Sequence, residues 1–283
     1  MLRILVPILA GTLALVAVSA GPSTPATWGQ EPDVQQEVSK AGSVICLGSL
    51  DAFQDAMVEA LGNAGGAAPN VVILPQASEA EDRGQKEKQA FEAMGIQSVT
   101  ILEELDNESA IALLDGANVI WFADGSPSRL MRELSAHAVA SRFTRWRMQG
   151  AIVGGAGAVA GVLGVTFLEG PIDPPPMVHL SVKPIRGLGL WPGLVVTKIL
   201  EDNRLAQAAS AVFDQVRLVA LCLDAGAAVR ILNDDMYMLG SGPTLVIDAR
   251  KAKKTWIDKD STHSVRNAQF HSFARGEVYN WFE

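Results

Sequence analysis

Short apolar runs alternate with helix-like stretches through the first half of the chain. Each run holds three to five hydrophobic residues and is bounded by glycine, proline or polar residues. That pattern is typical of strands buried on both faces of a parallel sheet. Five strands are therefore predicted, at 43–47, 71–74, 98–102, 119–122 and 151–153.

The segments between these runs carry apolar residues at helical spacing. In the first segment, Phe53, Met57 and Leu61 fall on one helix face. Asn107 is a suitable N-cap for one helix, and Gly95 is a suitable C-terminal stop for another. Helices are predicted at 52–61, 79–94, 107–114, 127–141 and 158–167.

This alternation of strands and helices predicts an α/β fold. We expect a mainly parallel sheet with helices on both faces and right-handed crossover connections. Later apolar runs predict further, partly antiparallel strands at 217–223, 228–232 and 244–247, whereas the polar tail from 255 to 283 has no clear pattern. No internal repeat or second boundary is evident, so 41–283 is predicted to form a single domain.

The N-terminus has the pattern of a secretory signal peptide. Arg3 precedes an uncharged apolar run at 4–18, and Val18–Ser19–Ala20 offers the small residues that a signal peptidase needs. We therefore predict a signal peptide at 1–20, a flexible leader at 21–40, and export to the periplasm or the extracellular medium without stable membrane insertion after cleavage. An uncleaved anchor is the alternative, which the short run and Pro7 weaken.

Composition and charge narrow the classes of partner. The chain is 48% hydrophobic, which supports a large core. Its net charge is -8, and becomes -9 when Arg3 is removed with the signal peptide. The one basic run, at 250–254, is interpreted as a solvated surface, so nucleic acid is not an expected partner.

Neither a metal nor a cofactor is expected from the residue types. Cys46 and Cys222 lie in separate apolar runs without neighbouring histidines, which does not make a zinc site. They could form a disulfide in an oxidising compartment or remain as two buried thiols. The Asp234–Asp235 pair is interpreted as a turn.

Chemistry in an open α/β sheet is expected at the carboxyl ends of the strands. The stretches at these ends are Gly48–Ser49, 123–126 and 154–158, and the last is a tight strand-to-helix turn. In nucleophile-elbow enzymes a Ser or Cys occupies that turn. Here the segment 151–163 contains no Ser, Cys or Thr, so it offers no side-chain nucleophile.

Three stretches, in order, resemble one family of serine peptidases. The turn Gly154–Gly155–Ala156–Gly157–Ala158 resembles a G-G-T-S-A elbow, and 119–130 resembles an apolar strand followed by F-x-G-G-x-Q. The run 187–193 reads G-L-G-L-W-P-G and matches G-L-G-L-x-P-G, after which 197–199 and 203–205 stand where D-x-H and R-x-R-L are expected. The stretch from 42 to 250 thus resembles the cyanophycinase and aspartyl dipeptidase (dipeptidase E-like) family.

The resemblance implies a class I glutamine amidotransferase-like fold, a flavodoxin-like three-layer sandwich. It also implies a degenerate active site, because the catalytic Ser falls on Gly157 and the D-x-H falls on Thr197 and Ile199. The oxyanion frame of the family falls on the backbone near Gly125 and Ala158. Loss of triad members costs roughly a millionfold in kcat in well-studied proteases, so family-type activity is not expected.

Three hypotheses for function follow. The first is an exported, inactive peptidase homologue that binds a peptide or an acidic dipeptide or acts as a scaffold. The second is an active hydrolase with relocated residues, for which Ser126 and His179 are weak candidates. Asp173 could be a relic of the acid that oriented a base, but a solvated loop carboxylate is the favoured interpretation. The third is a structural role through homo-oligomers.

Overall fold

Two β-sheets form the framework of the computed structural model, which describes residues 41–62, 69–169, 178, 181–200, 204–215, 217–255, 262 and 264–282. The predicted signal peptide and leader, and the predicted turn at 63–68, lie outside these residues. The α-helices are α1 (Phe53–Gly62), α2 (Gln85–Ala93), α3 (Glu108–Asp115), α4 (Pro127–Ala136), α5 (Phe143–Met148) and α6 (Arg204–Asp214). Short 3₁₀ helices span Leu50–Ala52, Ala140–Arg142 and Gly157–Leu163.

The strands of the described residues follow one another along the whole chain. They are β1 (Val44–Leu47), β2 (Val71–Leu74), β3 (Val99–Ile101), β4 (Val119–Phe122), β5 (Ile152–Ala156), β6 (Gly164–Phe167), β7 (Ile185–Arg186), β8 (Trp191–Thr197), β9 (Val219–Leu223), β10 (Ala228–Leu232), β11 (Asp235–Met238), β12 (Thr244–Asp248), β13 (Lys253–Thr255), β14 (Ser264–Arg266), β15 (Gln269–Phe273) and β16 (Val278–Asn280).

The first sheet has eight strands in the order β16-β11-β10-β1-β5-β4-β2-β3. The five strands predicted from the first half of the chain form its parallel part, and β10, β11 and β16 add antiparallel partners. Their apolar composition follows from this placement, because helices or a second sheet cover both faces. The predicted α/β fold with a mainly parallel sheet is confirmed.

The second sheet has six strands in the order β15-β12-β9-β8-β6-β7. Strands β6, β8 and β9 are parallel, and β12 and β15 are antiparallel to their neighbours. A separate two-stranded ribbon pairs β13 with β14.

Three apolar clusters fill the spaces between these layers. One lies between the first sheet and α1 and α2, around Phe53, Phe91 and Trp121. The largest lies on the opposite face of that sheet, where α3, α4, α5 and the second sheet all contribute. The third lies between the second sheet and α6. Helices therefore cover both faces of the parallel strands, as predicted.

Two predicted helices end differently in the structure. The segment 158–167 is not one helix, because the 3₁₀ turn stops at Leu163 and β6 begins at Gly164. Val165, Thr166 and Phe167 are β-branched or aromatic, and β6 pairs with β7 and β8. The helix predicted at 127–141 ends at Ala136, and Ala138 has a φ of 54° that breaks the helical path.

Among the described residues, no helix is long and apolar enough to cross a membrane. The two cysteines are both free and buried, so the disulfide alternative is not adopted. Cys46 lies in β1 and Cys222 lies in β9, in different sheets.

Candidate functional site

The turn after β5 has the backbone conformation of a nucleophile elbow. Ala156 is extended, with φ −120° and ψ 154°, and Gly157, the first residue of the 3₁₀ helix, adopts a φ of +64°. A left-handed residue costs about 1–3 kcal/mol when it carries a side chain, and glycine avoids that cost. Gly157 therefore has a left-handed backbone conformation at the position where the resemblance predicts the catalytic Ser.

Neighbouring strands bring two other loops to this turn. Leu47 of β1 pairs with Ala156, and Phe122 of β4 pairs with Gly155. The residues that follow these strands therefore lie on either side of Gly157 at the carboxyl edge of the sheet. On the β4 side the loop contains Asp124 and Gly125.

The carboxylate of Asp124 occupies the space in which a side chain at position 157 would stand. A Cβ placed on Gly157 would lie 2.9 Å from Asp124 Oδ1 and 3.5 Å from Oδ2. The same Oδ1 accepts a hydrogen bond of 2.8 Å from the backbone N–H of Gly125. An acidic side chain is thus held against the elbow by the adjacent loop.

Gly125 is held in place by its close approach to the loop after β2. A Cβ at Gly125 would lie 2.4 Å from the backbone oxygen of Ala77, at a φ of +153°. The next residue, Ser126, donates its backbone N–H to the same Ala77 oxygen over 2.9 Å. The loop that carries Asp124 is therefore anchored by backbone contacts on both sides of Gly125.

Glu87 supports Asp124 from the opposite side and was missed by the sequence analysis. It lies in the first turn of α2, is only 3% exposed, and accepts the backbone N–H of Asp124 at Oε1 over 3.1 Å. The helix is rich in Glu, Lys and Gln, so nothing in the pattern distinguished a buried carboxylate from its solvated neighbours. Only the contact with the β4 loop shows which Glu is enclosed.

The predicted oxyanion frame is altered by this arrangement. Ala158 is exposed beside Gly157, but the N–H of Gly125 already donates to Asp124. A negative carboxylate at this point opposes the negative oxygen that forms during acyl transfer. At the position predicted for the oxyanion frame, the N–H of Gly125 therefore faces a carboxylate of the chain itself.

The residues at the predicted D-x-H positions lie in an apolar environment of the second sheet. Thr197 ends β8 and is 4% exposed, and Ile199 is 3% exposed within the cluster that packs on α6. Lys198 between them has a φ of 57°, and Leu200 donates its N–H to Asp224 Oδ2 over 3.0 Å. Neither Thr197 nor Ile199 is a side chain that could act as a general base.

Ser126 serves as the N-cap of α4. Its Oγ accepts the backbone N–H of Arg129 over 3.2 Å, and the side chain is exposed. The other proposed substitute, His179, and the candidate relic Asp173 lie outside the described residues. The structure thus gives Ser126 a capping role and brings Asp124, Gly125 and Gly157 together.

A second group of polar residues lies where the antiparallel strands of the two sheets approach each other. Oδ2 of Asp248 accepts one hydrogen bond from Arg250 Nε over 3.0 Å and another from Arg250 Nη2 over 2.7 Å. Burial raises the pKa of Asp248, but the hydrogen bonds and charge of Arg250 outweigh it, so the pKa lies below the usual value. Burial and the nearby charge of Asp248 raise the pKa of Tyr279.

This group corrects the interpretation of the basic run 250–254 as a solvated surface. Arg250 is paired with Asp248, and Lys254 Nζ donates to the backbone oxygen of Val212 over 2.9 Å. Burial lowers the pKa of Lys254. Two of the four basic side chains in the run are therefore engaged within the fold, Arg250 with the neighbouring Asp248 and Lys254 with the end of α6.

A shallow groove of about 490 Å³ lies between the start of α3 and the end of α4. Its lining includes Asp106, Ile111, His137 and Arg142, and none of the residues around the elbow. Among the described residues, no group of three or more His, Cys, Asp or Glu side chains could hold a metal ion.

Comparison with solved structures identifies the fold. The chain is similar to a peptidase from an acI-B1 Actinobacterium, with a TM-score of 0.59 and 18% identity over 85% of this chain and 97% of that one. It is also similar to a Listeria monocytogenes EGD-e protein named as a candidate peptidase E, with a TM-score of 0.51 and 14% identity over 71% of this chain and 98% of that one. The chain therefore has a peptidase E-like fold.

No family model matches the sequence. No curated protein matches it either.

Proposed function

We propose that this protein is a peptidase E-like homologue without hydrolase activity, which is exported and binds peptides or acts as a scaffold. The observation that carries the proposal is the Asp124 carboxylate beside Gly157, at 2.9 Å from the position of a nucleophile's Cβ. The elbow conformation is retained, while the reactive atom is absent from it.

The described residues at this turn lack the side chains that acyl transfer needs. The reaction needs a nucleophile, a base within hydrogen-bond reach and donors for the oxyanion. Gly157 has no side chain, Ile199 is apolar, and the N–H of Gly125 is engaged by a carboxylate. Each loss alone weakens catalysis, and together they support a binding function.

The proposed ligand is a peptide, bound at the carboxyl edge of the parallel strands. The peptidase-like fold supports this, because ligands of open α/β sheets bind at that edge. By resemblance to the family the first peptides to test are acidic dipeptides. Export is part of the proposal because of the N-terminal pattern at 1–20, and self-association into homo-oligomers is compatible with a scaffold role.

Hydrolysis assays test the absence of activity. The purified protein is incubated with Asp-X and β-Asp-Arg dipeptides beside a triple variant carrying Asp124→Gly, Gly157→Ser and Ile199→His. We expect no turnover by the unmutated protein, because it lacks a nucleophile. Measurable turnover by the triple variant is expected because the substitutions supply the Ser and His that the resemblance implies and remove the Asp124 carboxylate.

Two controls identify the source of any activity that appears. Ser126→Ala removes the one nearby hydroxyl considered as a substitute nucleophile, and a fluorophosphonate probe reports an activated serine directly. Turnover by the unmutated protein that survives repurification, with labelling lost in Ser126→Ala, would instead support an active hydrolase with relocated residues.

A further inference from the structure

The groove between the start of α3 and the end of α4 has walls of opposite charge. Its volume of about 490 Å³ falls within the range of small-molecule sites in proteins, about 300–1,000 Å³. The α3 wall carries the carboxylates of Asp106 and Glu108, and the other wall carries the side chains of His137 and Arg142. Acidic and basic groups therefore line one cavity.

These four side chains are not engaged by the rest of the protein. Within the described part of the chain, they form neither an ion pair nor a side-chain hydrogen bond, with one another or with other residues. A carboxylate offers about four acceptor positions, and a guanidinium offers five N–H donors. The groove therefore presents unused donors on one side and unused acceptors on the other.

A left-handed turn after α4 brings His137 and Arg142 to the same groove. Ala138 has a φ of 54°, and the N–H of Val139 donates to the backbone oxygen of Leu134 over 2.9 Å. Glycine is the usual residue at this point of a helix end, because it adopts a left-handed conformation without strain. Val139 is fully buried, which anchors the turn and leads the chain into the 3₁₀ helix that ends at Arg142.

Helix dipoles explain only part of this arrangement of charges. Asp106 and Glu108 lie at the N-terminal end of α3, where negative charge is favourable, and a protonated His137 would be favourable at the C-terminal end of α4. Arg142, in contrast, is the N-cap residue of α5, where a positive charge is unfavourable. Helix stability thus gives no reason for a cation at position 142, whereas an anionic group bound in the groove does.

We propose that this groove binds a dipeptide with free termini, its carboxylate on Arg142 and its ammonium on Asp106 and Glu108. A guanidinium suits a carboxylate because it donates two parallel hydrogen bonds, and an ammonium has three donors for the facing acids. Leu105 and Ile111 add apolar surface for an aliphatic side chain. The proposal does not depend on the proposed function, because the groove shares no lining residue with the elbow.

Calorimetric titration with Ala-Leu and its blocked forms tests the role of both termini. N-acetyl-Ala-Leu lacks the ammonium, Ala-Leu amide lacks the carboxylate, and the doubly blocked dipeptide lacks both. We expect free Ala-Leu to bind most tightly to the purified protein. Each singly blocked form should bind about tenfold more weakly, because it loses a charge-assisted hydrogen bond.

Substitutions on the two walls assign each terminus to its side chains. Arg142→Gln should remove the preference for Ala-Leu over its amide and keep the preference over the acetylated form. The double variant Asp106→Asn, Glu108→Gln should do the reverse. Arg132→Gln is the matched control, because this arginine of α4 pairs with Glu133 and does not line the groove, and it should change the affinity less than twofold.

Three results would overturn the proposal. These are no measurable binding of Ala-Leu, equal binding of its free and doubly blocked forms, or unchanged preferences in both wall variants. Asp124→Asn keeps the groove apart from the elbow, since unchanged binding supports the groove and lost binding places the dipeptide at the elbow instead. Thermal melts of all variants establish that a lost preference comes from a folded protein.

Discussion

Single glycines at this site have distinct structural tasks. Gly157 supplies a left-handed turn, and the atoms that a Cβ there would meet belong to the side chain of Asp124. Gly125 instead faces the backbone oxygen of Ala77, which cannot move without its loop. Asp124 stands where the first glycine of the F-x-G-G-x-Q motif would fall in the resemblance at 119–130, but its contact with the elbow depends on the fold.

Substitution of Gly125 by Ala should therefore be more damaging than substitution of a glycine with free space. Gly95 has a φ of +84° and no atom within 4 Å of a Cβ, so Gly95→Ala measures the conformational cost alone. Gly125→Ala also forces a Cβ to 2.4 Å from a carbonyl oxygen. We expect it to lose about 1–3 kcal/mol more of the free energy of unfolding in urea. Equal losses in the two variants would contradict the close approach.

The Asp248–Arg250 pair should contribute stability that is lost in acid. The pKa of Asp248 is lowered in the folded state, so its contribution is present above the unfolded pKa of about 4 and disappears as the pH falls through the folded value. Asp248→Asn should cost about 1–3 kcal/mol at neutral pH and progressively less as the pH falls through the folded pKa of Asp248. Urea unfolding across this range measures it, and a cost that persists undiminished in acid would exclude the charge as its cause.

At the scale of the elements, single polar side chains cap the N-termini of α3 and α4. Asn107 Oδ1 accepts the N–H of Ala110 over 2.7 Å, which confirms the predicted N-cap of α3. Ser126 has the same role in α4, with Pro127 in the first turn. In both cases a short polar side chain precedes a helix whose other face is buried in the main cluster.

The capping role of Ser126 predicts how its substitution changes stability, independently of any catalytic role of its hydroxyl. Ser126→Ala should lower the free energy of unfolding by about 1 kcal/mol, because a backbone N–H of the first turn loses its acceptor. Ser126→Asp retains an acceptor and lacks a hydroxyl, so it should be close to the unmutated protein in a thermal melt. If Ser126→Asp were as unstable as Ser126→Ala, the cap would not be the reason.

The elements that sequence patterns predicted best are those that lie between two covering layers. Strands 71–74 and 119–122 match β2 and β4 at both ends, since a buried parallel strand is a continuous apolar run. The run 158–167 is equally apolar, but its last four residues form β6, which pairs with β8 in the second sheet. Apolar composition alone does not distinguish a buried helix from a strand, and the partner strand decided the outcome.

The C-terminal strands were the least predictable part. Strands β15 and β16 are short edge strands with mostly exposed or half-buried positions, so they lack the alternation that marks a half-buried strand. They are held by contacts between strands, such as the packing of the His271 and Phe273 rings of β15 against the Tyr279 ring of β16. The pairing of Val246 with His271 likewise joins segments that no local pattern connects.

At the scale of the whole molecule, the two cysteines lie in separate apolar clusters that are not joined by a disulfide. Cys46 belongs to the cluster between the two sheets, and Cys222 belongs to the cluster under α6. Burial raises the pKa of both thiols to about 12, so the reactive thiolate is scarce at neutral pH. The scarcity of thiolate would slow disulfide formation even in the oxidising compartment that the N-terminal pattern predicts.

Thiol chemistry therefore provides a test of global unfolding. In the native protein, an aromatic disulfide reagent should label neither cysteine over hours, and both should react within minutes in 6 M guanidinium, because only unfolding exposes them. The midpoint of thermal unfolding should be the same with and without dithiothreitol. A midpoint that falls on reduction, or the absence of any label after unfolding without reductant, would show a disulfide and contradict the placement of the two strands in separate sheets. Rapid labelling of a single thiol in the native state would instead indicate local opening of one sheet, since the two cysteines report on different clusters.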